Sequence, residues 1–209
     1  MSRRLPIQLL LGIELRTADA LRDAVAVLPS IAEQSIPATF YVTRSLVSDA
    51  GDVAESFAAA GCELCWRYET TGDLQHIGEA TVCRVACELS VSDVALLNQA
   101  GVVAATVHRR KRDGPRWPHR REGVLLIPDA DIGSGAGSAD VDAMRNQLAR
   151  WPMKIPRCMS LCVDVTNAEQ AIDWASQFIQ QCAEADAPAA WASPATLAKW
   201  MNARQRGFC

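Results

Sequence analysis

Ile7-Gln8-Leu9-Leu10-Leu11-Gly12-Ile13-Glu14-Leu15-Arg16-Thr17 and Ile36-Pro37-Ala38-Thr39-Phe40-Tyr41-Val42 flank a segment of helical spacing, and this pair decides the fold. Ile7 to Ile13 is an apolar run of strand length. Ala38 to Thr43 is β-branched and aromatic and reads as a second strand. Between them, Ala18 to Gln34 repeats apolar residues at helical spacing, with Leu21, Val25, Leu28 and Ile31 or Ala32 on one face. Pro29 predicts a kink or break there, because an interior proline costs a helix about 3 kcal/mol.

The strand–helix alternation continues outward. Helices are expected over Asp49–Ala60 (stopped by Gly61), Ser92–Ala100 (stopped by Gly101), Ala139–Trp151, Ala168–Ala185 and Pro194–Met201. Strands are expected over Glu63–Tyr68, Thr81–Val85, Val102–Val107, Val124–Ile127, Met159–Val165 and Ala190–Ala192. Such alternation implies a parallel sheet covered by helices. About eight short strands suit an α/β fold closed as a distorted (β/α) barrel of about seven parallel strands, smaller than the eightfold barrel. A flat doubly wound sheet is the competing arrangement. No internal repeat or break in the alternation appears, so residues 1–209 are read as a single domain.

The 209 residues are 49% hydrophobic and 22% charged, with a net charge of −3. This is the composition of an ordinary globular protein, and a nucleic-acid partner is not expected from it. No segment reaches the roughly 18 apolar residues that span a bilayer. Arg3-Arg4 before the first apolar run has the look of a signal peptide. The run is short, contains Pro6 and Gln8, and ends at Glu14 without a cleavage site, so a buried strand explains it better. A cytoplasmic protein is expected, with its eight cysteines as reduced thiols.

Three stretches resemble the polysaccharide-deacetylase (NodB-homology) family. They are the pair Ile7–Thr17 with Ile36–Val42, the run Phe57-Ala58-Ala59-Ala60-Gly61-Cys62-Glu63-Leu64, and the end Ala190-Trp191-Ala192-Ser193-Pro194 with Trp200 beyond it. The resemblance implies the barrel of the glycoside hydrolase/deacetylase type. In active members an Asp is the base, and a second Asp with two His holds a divalent metal that polarises the acyl oxygen. A late His is the general acid. Here Glu14 falls at the base, and the metal-binding Asp is replaced by Leu15 or, in an alignment nearer the deformylase-like branch, by Arg16. The two His positions hold Arg67 and Thr71, and the late His position holds Cys162. Arg84 matches the family's motif-three Arg, without the usual prolines after it, and the helix normally preceding that motif is missing. A hydrocarbon cannot ligate and an arginine is not deprotonated, so neither a metal nor another cofactor is expected.

Two functions follow from the resemblance. One is a barrel that has lost its metal motif and serves as a binding or regulatory subunit. Its Arg16 and Arg67 would neutralise Glu14 or grip an anionic or carbohydrate ligand. The alternative is a divergent, metal-independent hydrolase (deacetylase or deformylase) of carbohydrate C–N bonds, with Glu14 as base and Arg67 and Arg84 stabilising the oxyanion.

Other features are weighed against plainer readings. Cys62-x-x-Cys65 with Cys83-x-x-x-Cys87 has zinc-like spacing, but on the barrel Cys62 and Cys87 fall at opposite ends, and small buried thiols explain them better. The segment from His108 to Arg121 carries seven Lys/Arg, including Arg109 and Arg110, with Trp117 among them. It is a solvated loop, a set of cations that could neutralise phosphates with Trp117 stacking on a base or sugar, or a contact for an acidic protein partner. Asp129–Ser138 is glycine-rich but lacks a phosphate-binding pattern, and no G-x-S-x-G elbow accompanies His76, His108 and His119.

Overall fold

The computed structural model describes residues 7–46, 53–76, 80–108, 118–129, 158–184 and 189–206. The first strand, β1 (Ile7–Leu15), shows how the layers arise. Successive side chains of a strand face opposite sides. Leu9, Leu11, Ile13 and Leu15 therefore pack outward in the core shared with α1 (Ala18–Glu33), α2 (Ala54–Ala59) and α4 (Ala168–Glu184), against Leu21, Ile31, Phe57, Ile172 and Phe178. Leu10 and the alternate residues turn to the other face.

The remaining strands are β2 (Thr39–Thr43), β3 (Glu63–Tyr68), β4 (Val82–Val85), β5 (Ala104–Val107), β6 (His119–Arg121), β7 (Val124–Pro128), β8 (Cys158–Asp164) and β9 (Ala189–Trp191). Their order is β6-β7-β5-β4-β3-β2-β1-β8, with β9 on β1. β8 runs along one edge of β1 from Gln8 to Glu14, and β9 and β2 share the other at Ile7–Leu9 and Gly12–Leu15. All pairings are parallel except β6 with β7. Among the described residues one parallel bridge, Asp129 to Ser160, joins the end of β7 to β8 and closes seven parallel strands into a distorted barrel. The flat doubly wound sheet is thereby excluded.

The bottom of the barrel is apolar. Leu10, Val82, Ala104, Leu125 and Cys158 meet Leu197 and Ala198 of α5 (Pro194–Arg206) there. α3 (Val91–Gln99) covers β4 and β7 through Val94 and Leu97 and is opened by a capping box between Ser90 and Asp93. Between β3 and β4 the described chain forms only a short 3-10 turn, Asp73–His76, so the helix missing from the sequence pattern is missing there too.

Two expectations are corrected. A break at Pro29 does not occur, since the proline lies inside a continuous α1. Pro29 is exposed, and Val25, whose carbonyl loses its amide donor, is 38% exposed, so that acceptor lies on the side water reaches. The buried stripe accordingly runs through Leu21, Ala24, Leu28 and Ile31 and leaves Val25 outside. The last residues of the basic segment are not loop: His119–Arg121 form the antiparallel strand β6, turned into β7 by Glu122 and Gly123, both at positive φ (46° and 81°). An all-polar edge strand carries no apolar alternation to betray it. The helix expected at Ala139–Trp151 and the loop after Asp129 lie outside the described residues. Among those described, no helix is long and apolar enough to cross a membrane.

Inside the barrel Gly12 allows a close approach. A Cβ there would stand 2.7 Å from Cε2 of the buried Tyr41 ring and 3.3 Å from Cys162 Sγ. Gly12→Ala should lower stability by about 1–3 kcal/mol through overpacking, read from urea unfolding. An unchanged midpoint would mean that Tyr41 does not pack there.

Candidate functional site

The carboxyl ends of the strands form the mouth of the barrel, where sites of such folds are built. The period of two brings Glu14 on β1, Arg67 on β3, Arg84 on β4 and Cys162 on β8 to the interior at that end, and Asp129 follows β7 directly. Glu14 is the hub and is 4% exposed. Its Oε1 accepts from Arg84 Nε. Its Oε2 accepts from Arg16 Nε at 2.7 Å and also from Arg16 Nη2. Arg67 Nε stands 3.3 Å from the same Oε2.

Arg84 grips a second carboxylate with the other end of its fork. Its Nη1 donates to Asp129 Oδ1 at 3.0 Å, and its Nη2 is 2.9 Å from Oδ2. The Ser160 hydroxyl donates to Asp129 Oδ1 at 3.3 Å, and His108 Nδ1 lies 4.0 Å from Oδ2. Two half-exposed acids complete the rim. Glu69 pairs with Arg67 Nη1, and Asp164 lies 3.6 Å from Arg16 Nε.

The electrostatics follow from this geometry. Burial pushes the Glu14 carboxyl up, but Arg84, the hydrogen bond from Arg16 and the charge of Arg67 outweigh it and hold it down at about 2. Burial raises the Asp129 carboxyl more than Arg84 lowers it. Burial also drives the Cys162 thiol well above its ordinary value, so it stays protonated, with Sγ 3.7 Å from Glu14 Oε1 as a weak donor.

A divalent metal does not fit these residues. Among the described residues no three His, Cys, Asp or Glu come together to hold one. The lone pairs of Glu14 are turned to guanidiniums, which donate and never ligate. Of Leu15 and Arg16, the first faces the helix layer and the second reaches the mouth.

The structure thus brings together Glu14, Arg16, Arg67, Arg84 and Cys162. Thr71 does not join them. The amides of Glu69 and Thr70 bond to the Asp73 carboxylate at 3.0 and 2.8 Å, and this turn leaves Thr71 exposed. Arg109, Arg110 and Trp117 lie outside the described residues. Asp129, Ser160, Glu69 and Asp164 were not singled out as site residues by sequence reasoning. For Asp129 the available signal was an acid directly after a short apolar strand, at the carboxyl end of the barrel. The zinc-like cysteines do not converge: Cys62 lies in the core under α1 and α2, Cys65 in the barrel interior, and Cys83 under α3.

No protein-family model matches the chain, and no curated protein matches it by sequence. Solved structures do. A crystal structure described as "putative polysaccharide deacetylase from Mycobacterium smegmatis" superposes with a TM-score of 0.65 at 14% identity, over 98% of this chain and 93% of that one. The fold is that of a polysaccharide-deacetylase barrel. Two further structures superpose too loosely to bear on this deacetylase-like chain. BA3943, a CE4 family pseudoenzyme from Bacillus anthracis, has a TM-score of 0.42 at 12% identity, covering 89% of this chain and 64% of that one. The peptidoglycan deacetylase PdaC from Bacillus subtilis has a TM-score of 0.41 at 11% identity, covering 99% and 97%.

Glu14→Gln should cost about 3–5 kcal/mol at neutral pH, because three guanidiniums lose the one carboxylate they share. The acid limb should change as well. The folded carboxyl of Glu14 titrates near 2, against an ordinary 4.5, so its stabilisation is full above 4.5 and is lost as pH falls towards 2. Asp129 contributes in the opposite sense, and because the Glu14 charge is one of the causes that raise its carboxyl, that opposing contribution shrinks in the variant. Urea unfolding from pH 2 to 7 should show a loss over that window in the natural protein and little of it in the variant.

Proposed function

We propose that this chain is a non-catalytic member of the polysaccharide-deacetylase fold, acting as a binding or regulatory subunit. The observation that carries this reading is the convergence of Arg16, Arg67 and Arg84 on Glu14. A divalent cation would be repelled by three guanidiniums and would find both oxygens of Glu14 already paired. A general base works best when its proton affinity lies near the working pH, and a carboxylate held near 2 takes a proton from water poorly. The same fact weighs against the metal-independent hydrolase of carbohydrate C–N bonds. Arg67 and Arg84 would have to stabilise an oxyanion while already neutralised by Glu14, Glu69 and Asp129.

In this reading the network replaces a metal in a structural sense. It ties β1 to β3 and β4 through Glu14, β4 to β7 through Asp129, and β7 to β8 through Ser160. The mouth keeps its shape without a metal, and the basic segment 109–121 is the place to seek an acidic protein partner.

The test is to dialyse the protein against zinc, cobalt or manganese and to assay it on acetamido and formamido sugars. Neither stoichiometric metal at this site nor hydrolysis above background is expected. Hydrolysis that disappears in Glu14→Gln, with the fold intact, would establish the hydrolase instead.

A further inference from the structure

The charges at the mouth sort by depth. Arg67, Arg84, Glu14 and Asp129 lie in the interior, with side chains 7%, 5%, 4% and 13% exposed. They balance one another. Arg16, Glu69 and Asp164 form the outer ring, each about half exposed at 52%, 55% and 55%. Among the described residues, the cluster without Glu69 and Asp164 would hold one positive charge in excess, three guanidiniums against Glu14 and Asp129. Glu69 occupies the place of an external anion on Arg67 Nη1, and Asp164 adds its negative charge 3.6 Å from Arg16 Nε, whose hydrogen goes to Glu14. Arg67 adds an unspent donor: its buried Nε faces Glu14 but makes no hydrogen bond.

We infer that the mouth is a latent carboxylate-binding site, held shut by Glu69 and Asp164 acting as built-in substitutes for the ligand. This rests on the non-catalytic reading, in which the guanidiniums bind and do not react. The ligand's class follows from the count. One excess charge is met by one carboxylate, which a guanidinium fork holds in two parallel bonds. A phosphate dianion would leave an uncompensated negative charge beside Glu14 and Asp129. Displacing the rim acids costs little, because half-exposed ion pairs contribute up to about 1 kcal/mol each and both acids can turn into water.

The experiment titrates sodium acetate, and separately inorganic phosphate at pH 8, into the full chain, following the Arg67 Nε–H resonance by NMR at constant ionic strength. The natural protein is compared with Glu69→Gln and with Glu69→Gln combined with Asp164→Asn. Both substitutions are at the rim and leave the interior quartet in place. Acetate should bind Glu69→Gln up to about fivefold more tightly than the natural protein, because an intramolecular competitor held by about 1 kcal/mol has been removed, and the double variant more tightly still. Acetate should also outcompete phosphate. Equal acetate affinity in all three proteins, or a preference for phosphate, would overturn the inference. Hydrolysis by the natural protein would sink only the non-catalytic reading, and the acetate titration would still decide this one.

Discussion

Three guanidiniums converge on the carboxylate of Glu14, inside a barrel mouth from which water is largely excluded. A lone carboxylate at that depth would be driven to take up a proton, and a lone guanidinium would be costly to desolvate. Together they are tolerated. Because the charges come from β1, β3 and β4 and pass through Asp129 to β7 and β8, their mutual satisfaction also fixes how those strand ends approach. Among the described residues β7 and β8 are joined by one backbone bridge, and the side-chain link from Ser160 to Asp129 falls at that same place.

The rest of the barrel prepares this arrangement. Its lower half is plugged largely by apolar side chains and α5, and the cluster of paired charges lies towards the mouth. Tyr41, packed against the bare backbone of Gly12, forms the floor beneath the charges. The interior thus runs from hydrocarbon at one end to paired charge at the other, and the chemistry available is confined to the carboxyl ends of the strands. There the cationic and anionic groups are matched. Activation of water would need a free base or a cation with an open coordination position, and Glu14 is instead paired with three guanidiniums.

Much of the fold was legible because strand–helix alternation reports directly on backbone burial. The run from Ile7, the ATFYVT strand and the closing Ala190–Ala192 with its helix fell close to the observed elements. β6 was not legible, since His119-Arg120-Arg121 is polar throughout and its pairing depends on a turn with two residues at positive φ. Pro29 misled, because the cost of a proline depends on whether the carbonyl it abandons is buried, and sequence does not carry that information.

The site divides in the same way. Residue chemistry alone determined that Leu15 or Arg16, Arg67 and Thr71 cannot hold a metal, since neither a hydrocarbon nor a guanidinium ligates and a lone hydroxyl makes no site. The register of β1 then separated Leu15 from Arg16 by one step of a period-two strand, sending one to the core and the other to the mouth. Only the tertiary structure decided that Arg84 would lie between Glu14 and Asp129, residues 70 and 45 positions away along the chain. Such contacts are set by barrel curvature and by the stagger between strands. Local sequence encodes which face a side chain takes, but it does not encode which distant side chain it will meet.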